Sequence, residues 1–165
     1  MPLFCRQAVI AGVILGLYGC QTVTTNQYEA TVETTLTWQV KYYQDRDRIP
    51  RLETFTSNTL ISRNGLKSPE AVVGPDEKGL WWPAVPPRPT PEQIEQRQEP
   101  GEEIDRPELR RTADYRISYR QGDQQVTFPT NYEVYRQVAR AYPERQPLQL
   151  TMGINERSVT KAEVP

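Results

Sequence analysis

Two groups of carboxylates stand close enough along the chain to suggest acid–base work: Asp45 with Asp47, and Glu102 and Glu103 with Asp105. Cleaving a glycosidic bond needs two acids facing each other across a substrate, about 5 to 9.5 Å apart, one of them kept protonated. Both groups fall in charged stretches that are expected to be exposed, and a catalytic acid needs buried or charge-coupled surroundings to shift its pKa. The chain has no histidine, which removes the commonest general base and the commonest metal ligand together. Ser-His-Asp and Cys-His catalysis and His-based zinc sites are therefore excluded. No phosphate loop, calcium loop or cysteine cluster stands in the sequence. No catalytic residue, metal or cofactor is expected, and the chain reads as a non-enzyme.

Trp81-Trp82 is the more suggestive pair and supplies the candidate binding residues. Indole faces beside a stiff proline run can stack on a sugar ring or clamp another chain. The same rings can instead pin the proline-rich stretch onto the domain, since a packed aromatic buries about 150 to 250 Å². Pro83-x-x-Pro86 and Pro86-x-x-Pro89 match the spacing of ligands for proline-reading domains, a spacing that any proline-rich stretch supplies easily. Three Tyr-Arg dipeptides, at Tyr115, Tyr119 and Tyr135, place tyrosines inward and arginines outward on a solvated face.

The start of the chain carries chemistry of another kind. Arg6 precedes the apolar run Ala8 to Leu17, and Leu17-Tyr18-Gly19-Cys20 closes it. A run of ten or eleven residues covers roughly 17 Å, well short of the roughly 30 Å hydrocarbon core of a bilayer, so it is an export signal rather than a span. It resembles the signal peptide of bacterial lipoproteins. The resemblance covers the signal alone and implies cleavage before Cys20, lipid on that cysteine and anchorage at an extracytoplasmic face, periplasmic or cell surface. Each buried methylene of such a chain is worth about 0.8 kcal/mol of membrane affinity.

Cleavage there leaves 146 residues with a net charge of −2, since Arg6 is the one charged residue removed. No strong field then draws nucleic acid, and no outward aromatic face supports that partner. Cys5 leaves with the signal and Cys20 is the lipid site, so the exported chain has no disulfide.

Residues 1–19 thus read as signal and 20–30, polar and threonine-rich, as a tether. In 31–63, Val32, Thr34, Leu36, Trp38, Val40 and Tyr42 alternate with polar residues and predict a strand near 31–43. A second, poorly alternating strand is expected to return through Phe55, Leu60 and Ile61. Residues 64–112 read as a proline-rich acidic linker or arm: Ser68 to Pro107 holds nine of the fifteen prolines, and Glu92 to Glu108 carries a local charge of −5. Within it Thr90-Pro91-Glu92-Gln93 has the layout of a capped helix start.

In 113–165 the alternation resumes. A hairpin over 113–129 turns at Gln121-Gly122-Asp123, a helix near 131–142 starts from a capping box Thr130-x-x-Glu133, and a strand follows over 147–154. The expected fold is α+β, with a small mainly antiparallel sheet, one helix and a long proline-rich excursion. The function expected is that of a membrane-anchored, non-enzymatic binding, scaffolding or assembly subunit with a protein partner in the envelope. A cell-wall glycan-binding module or weak carboxylate-based hydrolase is the alternative.

Overall fold

The computed structural model describes residues 21–165; the signal stretch 1–19 and Cys20 with its expected lipid lie outside the described residues. The strands are β1 (Thr22–Thr25), β2 (Tyr28–Tyr43), β3 (Arg51–Arg63), β4 (Glu103–Ile104), β5 (Glu108–Gln121), β6 (Gln124–Thr130), β7 (Leu148–Met152) and β8 (Val159–Glu163). The helices are α1 (Pro91–Glu95), α2 (Tyr132–Ala141) and a 3-10 turn at Ile154–Glu156. The sheet runs β1-β7-β8-β6-β5-β2-β3, with β4 added beside the end of β2, and its pairs are antiparallel except β6 with β8.

The α+β expectation is corrected here. Strands hold 47% of the structure and helices 12%, so this is a β-sheet fold with a mixed eight-stranded sheet. The error has a physical source: the stretches taken as tether and linker carry too little hydrophobic alternation to read as strands, yet both contribute strands through pairing. Thr22–Thr25 lies along β7, and Glu108–Thr112 extends β5 along β2. The tether of 20–30 is thus largely sheet.

Five strand-to-strand steps of about 4.8 Å separate β1 from β2, about 24 Å if the sheet were flat. Only Asn26 and Gln27 join them, and three Cα steps reach about 11 Å. The sheet must therefore curl until its two parts meet. The pairings also give β1 and β2 the same sense, so they are one long strand bent at Asn26-Gln27. Val134, Tyr135, Val138 and Ala141 of α2 pack in one core with Tyr28, Ala30 and Val32 of β2, Ile117 and Tyr119 of β5, Leu148 and Leu150 of β7 and Val159 of β8.

Strand β2 sets how much cover is needed. Its threonines and valines favour extended backbone, and Tyr28, Ala30, Val32, Thr34, Leu36, Val40 and Tyr42 are all buried on one side. Sixteen residues span about 50 Å. Helix α2, with ten residues, spans about 15 Å. The proline-rich segment supplies the rest. Extended at about 3.1 Å per residue, residues 82–91 cover roughly 30 Å, and the three-residue turn of polyproline II sets every third side chain to one side. Pro83, Pro86 and Pro89 are buried while Ala84, Val85, Pro87 and Arg88 are exposed.

A polyproline strap has no internal hydrogen bonds, so its carbonyls need donors from elsewhere. Trp38 Nε1 donates to Pro86 O at 2.9 Å, Asn58 Nδ2 to Ala84 O at 2.9 Å and Thr34 Oγ1 to Trp81 O at 2.8 Å. Tyr42 donates to Ile94 O at 2.8 Å, where α1 follows with both bonds of its Thr90–Gln93 capping box formed.

Strand β3 alternates poorly in sequence because it carries a bulge. Between Thr37 and Gln39 of β2 its partners advance from Ser57 to Thr54, one residue too many. Phase changes there, so Phe55 packs with Val40, Tyr42 and Ile94 on one side of the bulge and Leu60 is buried on the other. At α2 the cap is Asn131, whose Oδ1 accepts from Val134 N–H at 3.0 Å. Thr130, the expected cap, instead donates to Val159 O at 2.7 Å, because β6 still pairs with β8 at that residue.

The end of the strap is held by charge. Arg51 gives Nε and Nη2 to the two oxygens of Glu102 at 3.0 and 2.7 Å, and its guanidinium lies 4.6 Å above the Tyr42 ring. The Glu102 side chain is 2% exposed. Hydrogen bonds from Arg51, aided by the Glu99 N–H and the arginine charge, outweigh burial and hold this carboxyl below its usual range. A depressed carboxyl contributes stability above its unfolded value and loses it as pH falls through the folded one. Glu102→Gln is therefore expected to lower the thermal midpoint at pH 7 and to flatten the midpoint's fall below about pH 4.3, the ordinary glutamate value. Identical midpoints at pH 7 would show that the pair does not secure the strap.

Candidate functional site

Trp82 sits at the closed end of a small hairpin. Its N–H donates to Val73 O at 2.8 Å, its carbonyl takes the N–H of Val72 and Val73, and the loop between is closed by Asp76 N–H to Leu80 O at 2.9 Å. Gly74 is required at φ +132°, where a Cβ would stand 2.7 Å from Leu80 O. One carboxylate orders this loop. Asp76 Oδ1 accepts from the N–H groups of Lys78 and Leu80, both at 2.9 Å, and Oδ2 accepts from the Trp82 indole at 2.9 Å. Burial alone raises the pKa of Asp76, but those three donors and the Arg111 charge outweigh it and leave the carboxyl below its usual range.

A cleft of about 800 Å³ opens between this loop, β5 and the start of α2, lined among others by Asp76, Lys78, Trp82, Arg111, Tyr115 and Tyr132. Its aromatic wall is continuous: Tyr115 lies 5.8 Å from Tyr132 and 5.2 Å from Tyr135. Burial, with the neighbouring Tyr132, Asp76 and Asp114, raises the Tyr115 phenol, so it stays neutral and able to donate. The ring faces are already occupied by cations: Arg111 lies 5.4 Å from the Trp82 ring and Lys78 5.5 Å from that of Tyr132. The lining carries Asp76 and Glu77 as well as Lys78 and Arg111, so the cleft has no net formal charge, and the chemistry on offer is recognition of a polar ligand over an aromatic floor.

The two candidate tryptophans do not form a joint platform. Successive residues of an extended chain point to opposite sides. Trp82 is 6% exposed in the cleft wall, whereas Trp81 is half-buried with Lys67 5.3 Å from its ring. Cys20, the candidate lipid site, lies outside the described residues.

The candidate carboxylates are committed elsewhere. Asp45 accepts from Asp47 N–H at 3.0 Å in the turn after β2, and Arg46 lies between Glu103 at 2.8 Å and Asp105 at 3.4 Å. Glu102, expected to be exposed, is buried under Arg51, and an acidity increased by that pairing is the reverse of what a proton donor needs at neutral pH. Sequence reasoning missed Asp76 and Arg111. Pro75-Asp76-Glu77-Lys78-Gly79 is a turn signature that pointed to the first; Arg111 had no local signal. Compared with protein-family models, curated proteins and solved structures, the chain matches none.

Asp76→Ala leaves three donors without their acceptor. It is expected to cost about 1 to 3 kcal/mol in chemical denaturation and to shift tryptophan emission to the red as the loop loosens. Asp76→Asn, which keeps one acceptor oxygen, should fall between. An unchanged unfolding midpoint in the alanine variant would show that the loop stands without its carboxylate.

Proposed function

We propose that this chain is an extracytoplasmic lipoprotein, anchored through lipid on Cys20, that works without catalysis as a binding or assembly subunit. The signal layout of Arg6, the apolar run and Cys20 supports the anchor. No helix among the described residues is long and apolar enough to cross a membrane. The commitment of Glu102, Glu103 and Asp105 to arginines speaks for binding over hydrolysis.

One observation carries the partner. Of the nine large apolar side chains exposed among the described residues, seven fall between Ile49 and Val85, on β3, the turn before it and the segment after it. Strand β3 ends the sheet with no strand on its outer side. A thirteen-residue edge flanked by Leu52, Ile61, Leu66 and Val72 suits an extended segment of a partner protein that adds a strand and seats its side chains on those residues. The strap lies across the covered face, with Pro83, Pro86 and Pro89 turned inward. It shapes this edge rather than offering a proline motif.

Crosslinking in intact membranes followed by pull-down tests both parts. Wild type should retain a partner that Ile61→Asp with Leu52→Asp loses at unchanged circular dichroism, and Cys20→Ala should leave the membrane fraction. A partner retained by the double variant would rule out the β3 edge.

A second reading, capture of a cell-wall glycan, is favoured by the cleft beside Trp82, where charged and polar groups stand over an aromatic floor. Wall fragments should then quench tryptophan emission in wild type and not in Lys78→Ala with Arg111→Ala. Absence of quenching at millimolar ligand would dismiss it.

A further inference from the structure

The described chain is tied to the sheet from its first residue. Gln21 O accepts the Met152 N–H at 2.8 Å, and the ladder begins at once with Thr22 opposite Thr151. With its NH2 turned to the carboxylate, the Gln21 side chain also donates to Glu156. One residue step is about 3.8 Å. Gln21, the residue that follows Cys20 in the chain, is therefore held beside the connection from β7 to β8.

That connection is built in an uncommon way. Gly153 N–H donates to Ser158 O at 2.8 Å and pinches off residues 154–157. Asn155 and Glu156 follow one another at φ 56° and 54°, a left-handed pair of non-glycine residues. Such backbone persists only when its surroundings impose it, and it points to a function for what it displays. What it displays is Ile154, 89% exposed, with Glu156 and Arg157 beside it for no net charge. An isoleucine held out of the core next to an acylation site suits the boundary between lipid headgroups and acyl chains.

We propose that in the protein lipidated at Cys20 this loop enters the lipid surface, with Ile154 inserted as a second point of attachment that sets the domain's orientation. The inference rests on the lipoprotein reading above. Because β1 and β2 run in the same sense and β2 alone spans about 50 Å, the turn between β2 and β3 is carried to the far end. Ile49 at that turn is 96% exposed and serves as the control.

After cleavage and acylation the chain has no free thiol, since Cys5 is removed and Cys20 carries lipid. Ile154→Cys and Ile49→Cys therefore each give a unique site for an NBD label. The full-length precursors would be expressed, the mature products labelled, their masses recorded, and the proteins placed in vesicles of phosphatidylethanolamine and phosphatidylglycerol carrying nitroxide on the acyl chain.

The expected result is an acylated mass for both, with a blue shift and loss of NBD emission at position 154 and neither at position 49. Acylated protein whose label at 154 keeps its aqueous emission, or whose two positions respond alike, overturns the loop insertion while leaving the anchor standing. A mass without acyl groups overturns the anchor and the insertion with it.

Discussion

The structure depends on one constraint: the apolar side of β2 is too long for the helix available to cover it. About 50 Å of alternating side chains face about 15 Å of α2. A strand left bare over the remaining length would expose Leu36, Val40 and Tyr42, which instead are 2% exposed or less. An extended polyproline segment is suited to the task, since its length per residue nearly equals that of the strand it crosses. Its cost is a row of carbonyls without partners, met by Trp38 and Asn58 donating from the sheet, with Thr34 on the Trp81 carbonyl just before the strap. Polar residues on the covered side are thus part of how that side is closed.

Charge follows from the same arrangement. The acidic run from Glu92 to Glu108 would repel itself as a free linker. Laid against β2 and β3 it meets Lys41, Arg46 and Arg51, each within 3.1 Å of a carboxylate of the run. Exposed pairs of this kind contribute little singly. The Arg51–Glu102 pair differs because both oxygens are engaged and the acid is buried, so its geometry is fixed. The carboxylates that look most like chemistry in the sequence are the ones the fold uses as fasteners.

The sheet also separates its surfaces. One end carries the entry of the chain and the loop of Ile154; the side with β3 carries a free edge and most of the exposed apolar residues. The cleft at Trp82 is walled by rings beside which Arg111 and Lys78 stand.

Residue types and local spacing by themselves determined the alternation of β2, the turn of the β5–β6 hairpin, the capping box at Thr90 and the helix that begins after Asn131. Each of these is settled within a few residues by backbone dihedrals, side-chain period or a cap. The stretch expected to act as an export signal lies outside the described residues. Fold class, the strand at Thr22–Thr25 and the bulge in β3 were decided by pairing, for which the segments involved carry weak local patterns. The burial of Glu102, the separation of Trp81 from Trp82 and the inward turn of the prolines were decided by tertiary contact. Thr34 meets Trp81 across 47 residues, Arg51 meets Glu102 across 51 and Tyr42 meets Ile94 across 52. No local preference encodes a partner at that distance. It is chosen by which surface remains uncovered once the local elements have formed.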